Sequence, residues 1–213
     1  MVGAVPFLFN FLVAKNFGDE ILGSVNISLS FCLIITTFIT NFFGSSGNKF
    51  LAEYRGSKNL NKFNHVLKLI FFGTLITLLI ASTIIYYCWS LIFTFFSLPD
   101  KMMVPILAYI FVRSFYIIFR RIFYGTDLIK RYLIIEIISG LLMIFTVSYV
   151  CINKLDSFLI ETFIVYYSLF IILCIITYYY SYKKIKVNLS KDNKFNKNST
   201  SSSFFKYGLT SMI

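Results

Sequence analysis

The sequence predicts an all-α fold: a polytopic membrane protein built as a bundle of six transmembrane helices, followed by the start of a seventh. Three observations carry this. The 213 residues are 58% hydrophobic and 14% charged, with a mean hydropathy of +0.78, outside the range of soluble globular domains. The apolar residues gather into runs near 20 residues long, the length that matches a hydrocarbon core of roughly 30 Å. Lys and Arg, finally, alternate in density from loop to loop. The second, fourth and sixth loops hold fifteen of them (among them Lys49, Arg55, Lys58, Arg120, Arg121, Lys130, Arg131 and Lys183), and the first, third and fifth hold only Lys15, Lys101 and Lys154. Basic loops stay on the cytoplasmic side, so the pattern predicts an even number of crossings and a cytoplasmic N-terminus, in the cell membrane.

The spans follow in order. Span 1 is expected over Val2 to Ala14, short for a crossing, with Pro6 free to bend it because the ring removes a backbone donor. It has no basic leader and no small-residue cleavage site, so it reads as a span and not as a cleaved signal. Span 2 is expected over Ile21 to Phe43, span 3 over Leu67 to Cys88, span 4 over Val104 to Tyr124, span 5 over Tyr132 to Ile152 and span 6 over Phe158 to Tyr180. Continuous apolar runs of this length are helical, since barrel strands would alternate over about 10 residues. Tyr86, Tyr87 and Trp89 close span 3, and Tyr178, Tyr179, Tyr180 and Tyr182 close span 6, as interfacial aromatic belts do. Residues 1–182 thus form a six-helix lobe. Residues 183–203, rich in Lys, Asn and Ser, read as a basic cytoplasmic linker too polar to bury a core. Residues 204–213 read as the opening of the seventh helix, and the abrupt ends suggest a fragment of a longer protein.

Charge inside an apolar span is costly, about +2.5 kcal/mol or more for a central Arg, so such residues face a partner, water or the bundle interior. Arg113 lies halfway along span 4. Glu136, one turn inside span 5, and Glu161, near the outer end of span 6, are each displaced from it along the membrane normal by about 6 to 8 Å, within reach of an extended Arg. Two readings stand: Arg113 lines a functional cavity, or it forms a buried structural pair with one of these carboxylates. Arg120 lies on the same helical face as Arg113, about 10 Å nearer the cytoplasm. It and Arg121 can also serve as snorkelling anchors. A voltage sensor would repeat basic residues every third position, and these do not. In span 2, Asn26, Ser30, Thr37 and Asn41 form one inward stripe, either interhelical hydrogen-bond partners or cavity lining.

Other classes are disfavoured. The net charge of +11 sits in juxtamembrane loops, where anionic lipid headgroups account for it, and nucleic acid is discarded as a partner. Gly44-Ser45-Ser46-Gly47-Asn48-Lys49 lacks the spacing of a nucleotide-binding loop. His65, the single histidine, falls in a loop without acidic or thiol neighbours, and Cys32, Cys88, Cys151 and Cys174 lack metal-ligand spacing and read as small hydrophobes. No acid and base pair marks an enzyme, and no cofactor or metal is called for. Asn198-Ser199-Thr200 fits a glycosylation sequon on the wrong side of the membrane.

Four segments resemble the lipid-linked oligosaccharide flippases of the polysaccharide and O-antigen type, within the multidrug/oligosaccharidyl-lipid/polysaccharide exporter superfamily. They are Ala14-Lys15-Asn16-Phe17-Gly18-Asp19-Glu20-Ile21-Leu22-Gly23; Gly44 with Lys49-Phe50-Leu51-Ala52-Glu53-Tyr54-Arg55-Gly56; Phe123-Tyr124-Gly125 with Lys130-Arg131-Tyr132; and Phe204-Phe205-Lys206-Tyr207-Gly208-Leu209, where the family commonly continues with Pro and this chain has Thr210. The resemblance implies two six-helix lobes around a central cavity that opens alternately to each side, of which this chain supplies the first. It implies a flippase that moves an isoprenoid diphosphate-linked oligosaccharide across the membrane for surface polysaccharide biosynthesis. The partners are then that substrate, membrane lipids and a second six-helix lobe. On this reading Arg113 is the main anion contact, Arg120 and Asn26 line the same cavity, and Glu136 and Glu161 hold Arg113 in place or titrate with a coupling ion. The alternatives are a cation-coupled multidrug exporter of the same superfamily, favoured by acidic lining; a membrane-embedded transferase, which needs a catalytic pair; and a non-functional truncated gene product.

Overall fold

Apolar runs flanked by polar turns become long helices, because in lipid each backbone N–H and C=O must be satisfied within its own segment. A computed structural model describes residues 4–96, 102–187 and 197–210. The helices are α1 (Ala4–Phe17), α2 (Asp19–Gly56), α3 (Leu60–Tyr87), α4 (Trp89–Phe96), α5 (Met103–Gly125), α6 (Ile129–Ile152), α7 (Leu159–Val187) and α8 (Lys197–Thr210), with one 3-10 turn at Asp156–Phe158 before α7. Five helical segments, those of α2, α3, α5, α6 and α7, are long and apolar enough to cross a membrane, and α1 is a shorter apolar helix. This is the architecture of a multi-pass helical membrane protein. The outward faces agree: Phe38 and Phe145 are each 72% exposed and Ile152 is 80% exposed, an apolar surface that water would not tolerate and hydrocarbon solvates.

The helices are ordered in space by what each buries. α1 packs on α2 and α6, α6 on α7, α7 on α5 and α5 on α2, which closes a five-helix ring; α3 lies outside it against α2 and α5, and α8 crosses α2 and α3. Inside the ring Phe9, Val13, Val25, Cys32, Tyr109 and Phe170 are fully buried. A second core forms at the basic end, where Phe43, Phe50 and Leu51 of α2 meet Phe63 and Ile70 of α3, Ile118 and Ile122 of α5 and Phe204 of α8. Three tight turns join helices by one device. Lys58, Asp127 and Lys154 adopt φ of 55°, 58° and 54°, and the following amides of Asn59, Leu128 and Leu155 donate back to Tyr54, Phe123 and Val150 carbonyls at 3.0, 2.9 and 3.0 Å, which satisfies otherwise orphaned helix ends. Asn59 then caps α3, its side chain accepting from the Lys62 amide at 3.0 Å.

Several elements differ from the sequence expectation. α2 runs on to Gly56, about 57 Å at 1.5 Å per residue, so the stretch after Phe43 is not a loop. Its buried residues Phe43, Gly47, Phe50, Leu51 and Tyr54 recur at helical spacing and pack into the second core. Of the segment read as a linker, the described residues, 183–187 and 197–203, are helical: α7 continues to Val187 and α8 begins at Lys197. Thr200 and Phe204 of α8 are buried, so tertiary burial outweighs the weak helix propensity of the Ser run. Asn198 and Ser199 are helical as well. α8 lies outside the helices long and apolar enough to cross a bilayer. His65 lies on α3, with Nε2 2.8 Å from the Ser201 hydroxyl of α8. The four cysteines are free thiols. Lys101 and residues 188–196 lie outside the described residues.

Packing of α2 on α3 depends on Gly73, where a Cβ would fall 2.2 Å from Cε1 and 2.6 Å from Cζ of the Phe43 ring. Phe43 is 5% exposed, and its ring would have to leave this packed position to admit a methyl group. Gly73→Ala is expected to destabilise the bundle by about 1–3 kcal/mol through overpacking, read as a lowered thermal midpoint in detergent; an unchanged midpoint would mean the two helices separate freely.

Candidate functional site: a cationic cavity within the helix ring

The five-helix ring encloses a cavity of about 450 Å³. α5 dominates its wall. Arg113, Tyr116, Ile117, Arg120, Arg121 and Tyr124 all line it, at offsets of three, four, seven, eight and eleven residues that select one helical face. α2 adds Thr37, Thr40, Asn41 and Asn48, α1 adds Val5 and Pro6, α6 adds Glu136 and Met143, and α7 adds Phe163, Tyr166 and Tyr167. Thr37 is exposed and Tyr124 is 39% exposed, so the cavity is not sealed.

Its polar groups fall into two adjoining clusters. Arg113 Nη1 donates to the Tyr109 hydroxyl at 3.0 Å and to the Tyr167 hydroxyl. The guanidinium also lies 5.7 Å and 5.3 Å from the centroids of those two rings, where the negative π faces attract a cation. Among the described residues its Nε is buried with no hydrogen-bond partner. Beside this cluster, Glu136 accepts from Tyr116 at 3.0 Å and from Tyr166 at 2.8 Å, both on Oε1. The two clusters touch through their rings: the Tyr167 centroid is 4.8 Å from that of Tyr116 and 4.8 Å from that of Tyr166.

Of the two readings of Arg113, a cavity or a carboxylate pair, the described residues show no direct pair. The one ion pair among the described residues is Arg55–Asp127 at 3.4 Å, at the basic end of the bundle. The reason is geometric: tyrosines on α5 and α7 stand between the charges and supply each with neutral partners at shorter reach. Glu136 does enter the cavity with Arg113. Glu161 does not; it lines a separate groove between α6 and α7, and its Oε2 is buried with no partner among the described residues. Of the α2 stripe, Thr37 and Asn41 reach the cavity, whereas Asn26 and Ser30 are not part of its lining. Arg120 is in the lining, with its guanidinium 5.9 Å from the Tyr124 ring centroid.

Arg121 is the cavity residue that sequence reasoning assigned only to the interface. Its signal was the four-residue spacing from Arg113 through Ile117 to Arg121. The stem of Arg121 crosses Gly44 of α2, where a Cβ would stand 3.2 Å from its Cγ. Three guanidinium groups therefore face one carboxylate, a surplus of two positive charges along about 12 Å of helix. Such a wall can bind an anion by charge-assisted hydrogen bonds while aromatic faces contact an apolar or sugar group. Among the described residues no three His, Cys, Asp or Glu side chains gather as metal ligands. Comparison with protein families, with curated proteins and with solved structures finds no match.

Proposed function

We propose that this protein is a lobe of a membrane flippase for an anionic lipid, with an isoprenoid diphosphate-linked oligosaccharide for surface polysaccharide as its substrate. The observation that carries this reading is the cationic face of α5: Arg113, Arg120 and Arg121 in one cavity whose single carboxylate is already engaged by two tyrosines. A diphosphate headgroup cannot enter hydrocarbon without replacement of its hydration. Guanidinium groups in a wet, tyrosine-lined cavity supply that replacement, and the isoprenoid chain remains in the bilayer. A second six-helix lobe would rock against this one. The cation surplus speaks against a cation-coupled drug exporter, for which acidic lining is the favourable arrangement.

The test is equilibrium binding of geranylgeranyl diphosphate to the purified full chain in detergent, with geranylgeraniol as the uncharged control. The diphosphate is expected to bind at least tenfold more tightly, with an affinity that falls as salt rises. Equal affinity for the alcohol would overturn the reading.

The same reading places the N-terminus and the basic end of the bundle in the cytoplasm of a cell-membrane protein, on the strength of the Lys and Arg asymmetry. Single cysteines at Ser57 and at Ser97, the latter outside the described residues, in a background without the native thiols, are expected to react oppositely with a membrane-impermeant maleimide in intact cells. Ser57 should be protected and Ser97 labelled. Labelling at Ser57 alone would invert the topology.

A further inference from the structure

A second concavity lies on the outside of the ring, in the outer wall of the bundle. It measures about 580 Å³ and shares no lining residue with the central cavity. α3 and α7 form its walls: α3 packs on α2 and α5, and α7 on α5 and α6, so α5 lies between them as the floor. The floor is aromatic, with Phe71 of α3 and Phe119 of α5 edge-on at 5.4 Å between centroids. One end is closed by a hydrogen bond from the Tyr182 hydroxyl to Asn64 Oδ1 at 2.9 Å.

The polar groups of this cleft are few and gathered at that closed end. Lys68 is exposed in its lining, Asn64 lies one helical turn before it, and among the described residues no carboxylate lines the cleft. α7 carries Lys183, Lys184 and Lys186 immediately beyond Tyr182. In the wall, the Tyr178 ring packs against Tyr182 at 5.9 Å between centroids and extends the apolar surface away from the polar end. An apolar trough open on the outer face of the bundle and headed by a cation matches one chemistry: an amphiphile with a hydrocarbon tail and an anionic head.

We propose that the α3–α7 cleft binds an anionic phospholipid of the surrounding bilayer, with an acyl chain over Phe71 and Phe119 and its phosphate at Lys68. The occupant is a bilayer lipid and not the transported substrate, because the cleft is disjoint from the cationic cavity and faces the lipid side of the bundle. The inference does not depend on the flippase reading.

The experiment uses the full chain in vesicles and one tryptophan reporter. Trp89, the single native Trp, is replaced by Phe, and exposed Tyr179 in the cleft wall by Trp. Fluorescence quenching is then compared in equimolar phosphatidylglycerol and phosphatidylcholine, with bromine on the chains of one lipid or the other. Brominated phosphatidylglycerol is expected to occupy the cleft with about fivefold preference, the effect of one basic residue near an anionic surface. Lys68→Ala should abolish the preference, and Lys154→Ala, at the opposite end of the bundle, should preserve it. Equal quenching by the two lipids, or a preference that survives Lys68→Ala, would overturn the proposal. Relief of quenching by stoichiometric geranylgeranyl diphosphate would also overturn it, by assigning the cleft to the isoprenoid.

Discussion

Arg113→Ala is expected to weaken geranylgeranyl diphosphate binding about ten- to a hundredfold, the loss that follows when one or two charge-assisted hydrogen bonds disappear. Geranylgeraniol binding should not change. The expectation rests on how Arg113 is held. Two phenols use Nη1, and among the described residues no carboxylate lies within ion-pair distance and Nε has no partner, so the cation is positioned with a donor to spare. Arg113→Lys should recover part of the affinity, because a point charge restores the attraction without the planar fork. A purely structural Arg113 makes a different forecast: Arg113→Ala would lower the thermal midpoint and leave the diphosphate-to-alcohol ratio of affinities intact. That ratio is the deciding quantity, since it cancels any general loss of folded protein.

The extent to which the sequence disclosed this arrangement differs between helices and site. Apolar runs located α3, α5, α6 and α7 to within several residues, because the length of a span is set by the bilayer and the composition of a span by its solvent. α2 was cut short at Phe43 because Ser45, Ser46, Asn48 and Lys49 look like a loop when hydropathy is averaged. The helical recurrence of Phe43, Gly47, Phe50 and Tyr54 was present in the sequence and marked the face that packs on α3 and α8. The polar run before Phe204 hid α8 for the opposite reason: its helix is stabilised by contacts with residues some 150 positions away, which no local pattern reports.

At the site, the cost of a mid-membrane Arg drew attention to Arg113 and left two readings open, a cavity or a carboxylate pair. Charge balance is legible in a sequence, but the order in which partners meet is not. Tyr109 and Tyr116 share helix α5 with Arg113, and Tyr166 and Tyr167 are adjacent on α7. Fifteen tyrosines in a chain rich in aromatics dilute any such signal. Asn26 was grouped with Asn41 by periodicity, yet fifteen residues of helix separate them by about 22 Å, more than one cavity spans.

Glu136 provides the second large effect and separates the electrostatic from the structural contribution of the cavity. It is 6% exposed and accepts from two buried phenols. Glu136→Leu removes the carboxylate that both phenols share, and stranding two donors is expected to cost about 2–6 kcal/mol at about 1–3 each. The thermal midpoint should fall accordingly, and Glu136→Leu combined with Tyr116→Phe and Tyr166→Phe should recover most of it, since removing donors together with acceptor leaves nothing unpaired. Glu136→Gln acts differently. Its amide oxygen still accepts from the phenols, so stability should fall by less, while the lining loses its one negative charge. Diphosphate binding should then tighten about two- to tenfold, the attraction of a further unit of uncancelled charge across a partly wet cavity. Weakened binding in a stably folded Glu136→Gln protein would show that the carboxylate itself serves the ligand, as a group that exchanges a coupling proton would, and the tyrosine-screened counter-charge described here would have to be abandoned.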